Sequence, residues 1–147
     1  MCVFRFARSG TSMRERSTHQ AIGLETIAAV VDDFYDRVQR HPTLAEPFSR
    51  VEDWREHKAR LTHFWWISLG GERYRDDQYR VAPVHMPLGI TDALVDDWLA
   101  LFETTLHDHL PPDPAEAWMS RARNMGRSIR MLGEDNGFPP IVNARPA

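Results

Sequence analysis

The sequence predicts an all-α fold from two observations: apolar residues recur at helical spacing in four segments, and prolines separate those segments. No stretch alternates apolar and polar residues as a half-buried strand would. With 147 residues and a mass of 17.0 kDa, the chain has the size of one ordinary domain. We expect a domain over residues 20–136, a disordered N-terminal tail over 1–19 and a loose C-terminal tail over 137–147.

The first long helix has the clearest pattern. Its apolar residues fall at i, i+3, i+4, i+7, i+8 and i+11 and form one stripe: Ile27, Val30, Val31, Phe34, Tyr35 and Val38. The helix is predicted to stop before Pro42, because the residue that precedes a proline disfavours helical geometry. Tyr35 is therefore predicted to face the core. A short piece around Leu44, Pro47 and Phe48 follows.

The second long helix is predicted to carry a histidine on its apolar face, which consists of Trp54, His57, Leu61, Phe64, Trp65 and Ser68. Gly70 and Gly71 are expected to end this helix. His63 follows His57 after about 600° of helical rotation, which takes it off that face. We therefore predict that His63 is a surface residue.

The third and fourth long helices follow a less regular region. Thr91 is predicted to cap the third helix, whose apolar stripe is Leu94, Val95, Trp98, Leu101, Phe102 and Thr105. Asp113, Pro114 and Glu116 are predicted to start the fourth helix as N-cap, first-turn proline and capping box. Gly133 is predicted to close it. Trp98 is expected on the buried face of the third helix.

His85 lies between the second and third helices, where residues 72–89 show no regular period and Pro83 and Pro87 bracket it. A lone histidine inside a protein is more often a hydrogen-bonded core residue than a ligand. Spacing alone leaves both uses open for His57 and His85. Tyr35 and Trp98 are equally compatible with ordinary core packing.

Composition excludes several classes of function. A net charge of -3 and a pI near 6.1 provide no cationic field for nucleic acid or an anionic membrane surface. Cys2 is the only cysteine, so no disulfide forms within the chain, and the cytoplasm is the expected location. The sequence lacks a glycine-rich phosphate loop, a serine elbow and a cysteine nucleophile placed near a base.

Four stretches of the sequence together resemble a known family. They are F-Y-D-R-V-Q-R-H-P (34–42), W-R-E-H-K-A-R (54–60), F-W-W (64–66) and W-L-A-L-F-E (98–103). Their order is similar to that of the truncated haemoglobins, most of all the bacterial group III branch, over residues 20–136. The pair Gly70 and Gly71 departs from that branch and resembles the other truncated branches.

The resemblance implies a two-over-two helical sandwich around haem b, with His85 as the proximal iron ligand. It implies that Tyr35, His57 and Trp98 lie on the distal, ligand-binding side. Phe48 then packs against the haem. O2, NO or peroxide would be the ligand, and nitric-oxide dioxygenation or peroxidase-like chemistry would draw electrons from an unknown reductase. The haem propionates require cations, for which Arg60 and Arg80 are candidates by position.

Two alternatives from other classes remain open at this level. The chain would be a haem-free helical interaction module if Tyr35 and Trp98 only pack and His85 is an ordinary loop residue. It would be a non-haem metal enzyme if His57 and His85 bound a metal with Glu56 or Asp53.

Overall fold

The computed structural model describes residues 17–77, 79 and 90–134. This part of the chain contains five helices and no strand: α1 (Thr18–Ile22), α2 (Leu24–Gln39), α3 (Trp54–Ser68), α4 (Asp92–His109) and α5 (Pro112–Glu134). The four long helices correspond to the four predicted ones. None of the described helices has the length and apolar character needed to cross a membrane.

Helix α2 buries the predicted stripe. Ile27, Val30, Phe34 and Val38 are fully buried, and Tyr35 is only 4% exposed. The helix ends at Gln39, before Pro42 as expected. Tyr35 therefore faces inward, and its place in the stripe follows from the 3.6-residue period alone.

Helix α3 has a wider apolar arc than the sequence pattern suggested. Asp53 Oδ1 caps it by accepting a hydrogen bond from the Glu56 amide at 3.1 Å, and Gly70 follows its end with a φ of +112°. The buried stripe consists of Thr62, Trp65 and Leu69, whereas Trp54, His57, Leu61 and Phe64 of the predicted face are half-buried. The helix therefore has two neighbouring stripes, one in the core and one beside it.

Helices α4 and α5 begin differently from each other. Thr91 Oγ1 accepts from the Leu94 amide at 3.2 Å, which confirms the predicted cap of α4. Helix α5 begins at Pro112, two residues before the predicted first-turn proline, because a proline at the first helical position needs no amide hydrogen. Glu116 pairs with Arg123 at 2.7 Å, and α5 continues through Gly133.

The long helices pack in two layers. Helix α2 packs against α3 and α4 packs against α5, while α2 also contacts α4 across the layers. The short α1 packs against α2 and α5. Phe102 lies at the centre, with ring centroids 4.9 Å from Phe34, 5.5 Å from Trp65 and 5.6 Å from Trp118. The predicted all-α, two-over-two sandwich is confirmed, and this aromatic core fixes the helices that carry the candidate site.

Candidate functional site

Tyr35 is the centre of an aromatic cluster built from three parts of the chain. Its ring centroid lies 5.8 Å from that of His57, with the two rings nearly perpendicular at 87°. Phe48 lies 5.6 Å away and Trp54 5.9 Å away. Helix α2, the turn after it and the first turns of α3 therefore converge on one phenol ring.

The Tyr35 hydroxyl is buried, and Trp98 is its hydrogen-bond partner from α4. Burial raises the pKa of Tyr35 well above its ordinary value, and the hydrogen bond with Trp98 offsets only part of that increase. An indole nitrogen can only donate, so Trp98 Nε1 donates to Tyr35 Oη. The phenol thus stays protonated at neutral pH, and its own O–H proton is not used in the contact with Trp98.

Stacking on the core fixes the position of Trp98. Its ring lies parallel to Phe102 within 11° at a centroid distance of 5.2 Å, and Phe34 contacts it edge-on at 5.5 Å. One residue earlier in α4, Asp97 accepts a 2.7 Å hydrogen bond from the Thr43 hydroxyl. The turn that carries Phe48 is therefore tied to the helix that carries Trp98.

A charged clamp holds the helices that carry Tyr35 and His57. Lys58 Nζ lies 2.7 Å from Asp36 and 2.9 Å from Asp32, so it joins α3 to α2 one residue away from each site side chain. Partial burial lowers the pKa of Lys58, but hydrogen bonds to the two carboxylates raise it on balance. The ammonium group is therefore fully charged at neutral pH and maintains the spacing of the two helices.

Half-buried apolar side chains lie on α3, α4 and α5 and in the turn before α3. They pack against the core without being enclosed by it, and they include Phe48, Trp54, Leu61, Phe64, Leu94, Trp98, Leu99 and Met125. Large aromatic and aliphatic groups in this state are typical of the lining of a ligand pocket.

The structure brings together four of the seven predicted site residues: Tyr35, His57, Trp98 and Phe48. Arg60 lies further along α3, with its guanidinium 5.9 Å from the Tyr79 ring centroid and its Nε 3.8 Å from Asp77. Its predicted role toward a propionate is untested. His85 and Arg80 lie outside the described residues.

His63 corrects a prediction. The sequence assigned it to the surface, but it is 0% exposed and both ring nitrogens lie within hydrogen-bonding distance of partners. The prediction that His63 points away from the face of His57 was correct. The segment after α3 covers that side of the helix, however, with Tyr74 4.4 Å and Tyr79 5.7 Å from the imidazole centroid. Helical period cannot indicate a cover that comes from an irregular segment.

The proposed carboxylate ligands of a non-haem metal have other partners. Asp53 caps α3, and Glu56 pairs with Arg75. Across residues 17–77, 79 and 90–134, no three histidine, cysteine or acidic side chains lie close enough together to hold a metal ion. Asp53 and Glu56 therefore already have partners, whereas His85, another proposed ligand of that metal, lies outside the described residues.

Comparison with known proteins places this geometry in a family. The model of bacterial-like globins matches residues 17–130. The chain is 30% identical over 93 residues to the group 3 truncated hemoglobin ctb of Campylobacter jejuni subsp. jejuni, covering 60% of this chain and 72% of that protein. It is 32% identical over 97 residues to the group 2 truncated hemoglobin YjbI of Bacillus subtilis, covering 63% and 70%. The predicted resemblance is confirmed, and both branches match at similar identity.

Proposed function

The chain belongs to the bacterial-like globin family, and on that premise we propose that it is a haem protein binding O2, NO or a similar small ligand beside Tyr35. Haem b is the proposed cofactor, and His85 is the proposed axial ligand. The observation that carries the proposal is the buried Tyr35 ring, which Phe48, Trp54 and His57 surround.

The residues present fit the distal side of such a group. Haem, when bound, would supply an iron that binds a diatomic ligand inside an apolar pocket. The half-buried aromatic surface around Phe48, Trp54 and Trp98 suits a flat apolar ring and would keep water from it. Tyr35 lies beside both His57 and Trp98, so a hydroxyl, an imidazole and an indole come close together.

Tyr35, Trp98 and His57 have different roles in binding a polar ligand. Tyr35 donates its O–H proton to the ligand, since Trp98 already occupies one lone pair of the phenol oxygen. Trp98 acts through Tyr35 by fixing the direction of that proton. His57 presents its ring edge-on to Tyr35 and Trp54. Its side chain is half-buried, so it lies at the more exposed side of the cluster.

Three uses are compatible with this site: gas binding, nitric-oxide dioxygenation and peroxidase-like turnover. The second and third require electrons, and therefore a reductase as partner. Arg60 and Arg80 are the proposed partners of the haem propionates. We propose the cytoplasm as the location.

Absorption spectroscopy of the full chain after haem reconstitution tests the proposal. Reduced protein should show a Soret band that shifts on addition of CO. His85→Ala should lose haem, whereas His107→Ala, at an exposed position on α4, should retain it. Absence of a Soret band in the wild type would overturn the proposal in favour of a haem-free module.

Repeated turnover separates a carrier from a catalyst. With O2 and a chemical reductant in excess, a dioxygenase consumes many equivalents of NO per haem, whereas a carrier consumes one. A parallel assay with peroxide and a reducing dye tests peroxidase-like chemistry.

A further inference from the structure

His63 is a buried histidine that the proposed ligand site does not use. It lies on α3, six residues after His57, and is completely enclosed. Its Nδ1 lies 2.7 Å from the Tyr79 hydroxyl, and its Nε2 accepts from the amides of Tyr74 at 3.0 Å and Arg75 at 3.3 Å. One side chain on α3 thus contacts both ends of the segment from 74 to 79.

These contacts define the protonation state of the ring. The Tyr79 hydroxyl donates its single proton to the Arg60 carbonyl oxygen at 3.0 Å, so His63 Nδ1 must be the donor to the phenol oxygen. Nε2 faces two amide hydrogens and must carry a lone pair. The arrangement therefore requires a neutral imidazole, because a proton on Nε2 would point at two donors.

The charges around the ring disfavour a second proton. The charged groups that act on the ring are Arg73, Arg75 and Asp77. Glu56 pairs with Arg75, and Arg60 lies 3.8 Å from Asp77. Burial lowers the pKa of His63, Arg73 and Arg75 lower it further, and Asp77 opposes them. Arg75 pairs with both Asp77 and Glu56, which reduces the influence of these carboxylates on the imidazole. The phenols of Tyr74 and Tyr79 are neutral, since burial raises both pKa values.

The anchored segment leads directly to the proposed haem ligand. Tyr79 precedes His85 by six residues, a chain length of about 20 Å at full extension. A fixed point at Tyr79 therefore limits where the chain can present His85. The anchor lies on α3, the helix that also carries His57.

We propose that His63 is a positioning residue: with Tyr79 it fastens the segment 74–79 to α3 and so sets the position from which the chain presents His85. This inference rests on the proposed haem function. Protonation of His63 would break two amide contacts and release the anchor, so haem retention would depend on pH.

Matched variants test this role in the full, haem-reconstituted protein. Tyr79→Phe keeps the ring and removes the hydroxyl. His63→Gln keeps an acceptor and a donor but cannot titrate near neutrality. His107→Gln, at an exposed histidine on α4, is the control. The readouts are haem transfer to excess apomyoglobin between pH 5 and 7.5 and the iron–histidine stretching band of the reduced protein.

We expect Tyr79→Phe to lose haem about tenfold faster at neutral pH and to shift the iron–histidine band, since it removes two hydrogen bonds. Acid should accelerate haem loss in the wild type and in His107→Gln, but much less in His63→Gln. An unchanged band and unchanged loss in Tyr79→Phe would overturn the proposal, as would an identical acid response in His63→Gln.

A measurement on the apoprotein separates this proposal from the haem function itself. Nitrogen NMR should show His63 as the neutral Nδ1–H tautomer, and hydrogen exchange should show protected amides at Tyr74 and Arg75. If the wild type binds no haem while this anchor is present, the proposed function fails and the positioning role fails with it. If haem binds and the anchor is absent, only the positioning role is overturned.

Discussion

His57 and His63 lie on the same helix in opposite environments. His57 is half-buried, with its ring edge-on to Tyr35 and Trp54. His63 is fully enclosed, and its two ring nitrogens make three hydrogen-bond contacts. The first histidine belongs to the aromatic cluster around Tyr35, whereas the second connects α3 to the segment that follows it. Burial thus distinguishes the side of α3 that carries His63 from the side that carries His57.

The largest expected effect is the loss of stability on replacement of His63. His63→Leu leaves two amides and a phenol oxygen without their partner, so we expect the free energy of unfolding to fall by about 3 kcal/mol, or about 1 kcal/mol per hydrogen bond. His57→Leu is the control, and its expected loss is below about 1 kcal/mol. Urea unfolding of the apoproteins measures both values. Equal losses would show that the two sides of α3 do not differ in this way.

The next prediction concerns ligand binding and the hydroxyl of Tyr35, the proposed donor to the ligand. Tyr35→Phe should raise the O2 dissociation rate about tenfold, the equivalent of about 1.4 kcal/mol, because the ligand loses its donor. CO, a weaker acceptor, should respond less. Stopped-flow displacement measures both rates, and Tyr74→Phe, at a tyrosine that is 51% exposed, is the control. An O2 rate within twofold of the wild type would remove Tyr35 from the ligand's contacts.

The two histidines should also differ in acid. Burial and two arginines lower the pKa of His63 in the folded protein, so the unfolded chain binds more protons near its ordinary value of about 6.5. The contribution of neutral His63 to the free energy of unfolding is therefore complete above about pH 6.5 and decreases as the pH falls below that value. Wild type and His57→Gln should therefore lose more stability than His63→Gln between pH 7 and pH 5. Urea unfolding at each pH measures the difference, and parallel curves would contradict the prediction.

The smallest expected effect comes from replacing Lys58, which links α3 to α2 next to His57 and Tyr35. Lys58→Met removes the contacts with Asp32 and Asp36 and should reduce the free energy of unfolding by less than about 1 kcal/mol, as expected for a partly exposed pair. It should also raise the O2 dissociation rate, though less than Tyr35→Phe does. Arg123→Met, which breaks a pair with Glu116 away from the cluster, is the control. Identical ligand kinetics in both variants would exclude a positioning role for Lys58.

The sequence by itself determined the helical fold and much of the cluster. The stripe of α2 placed Tyr35 in the interior, and Thr91 and Gly70 marked helix ends, because helical period and capping are local properties of the chain. The four aromatic stretches also indicated the family that comparison then confirmed.

Tertiary structure alone decided which face of each helix is covered, and by what. The period correctly took His63 off the His57 face, but only the fold shows that Tyr74 and Tyr79 cover it. It likewise shows that Trp98 donates to Tyr35 and that Lys58 spans two carboxylates on α2. Such contacts join residues that are distant in sequence, and they depend on how helices and irregular segments pack, which no local pattern encodes.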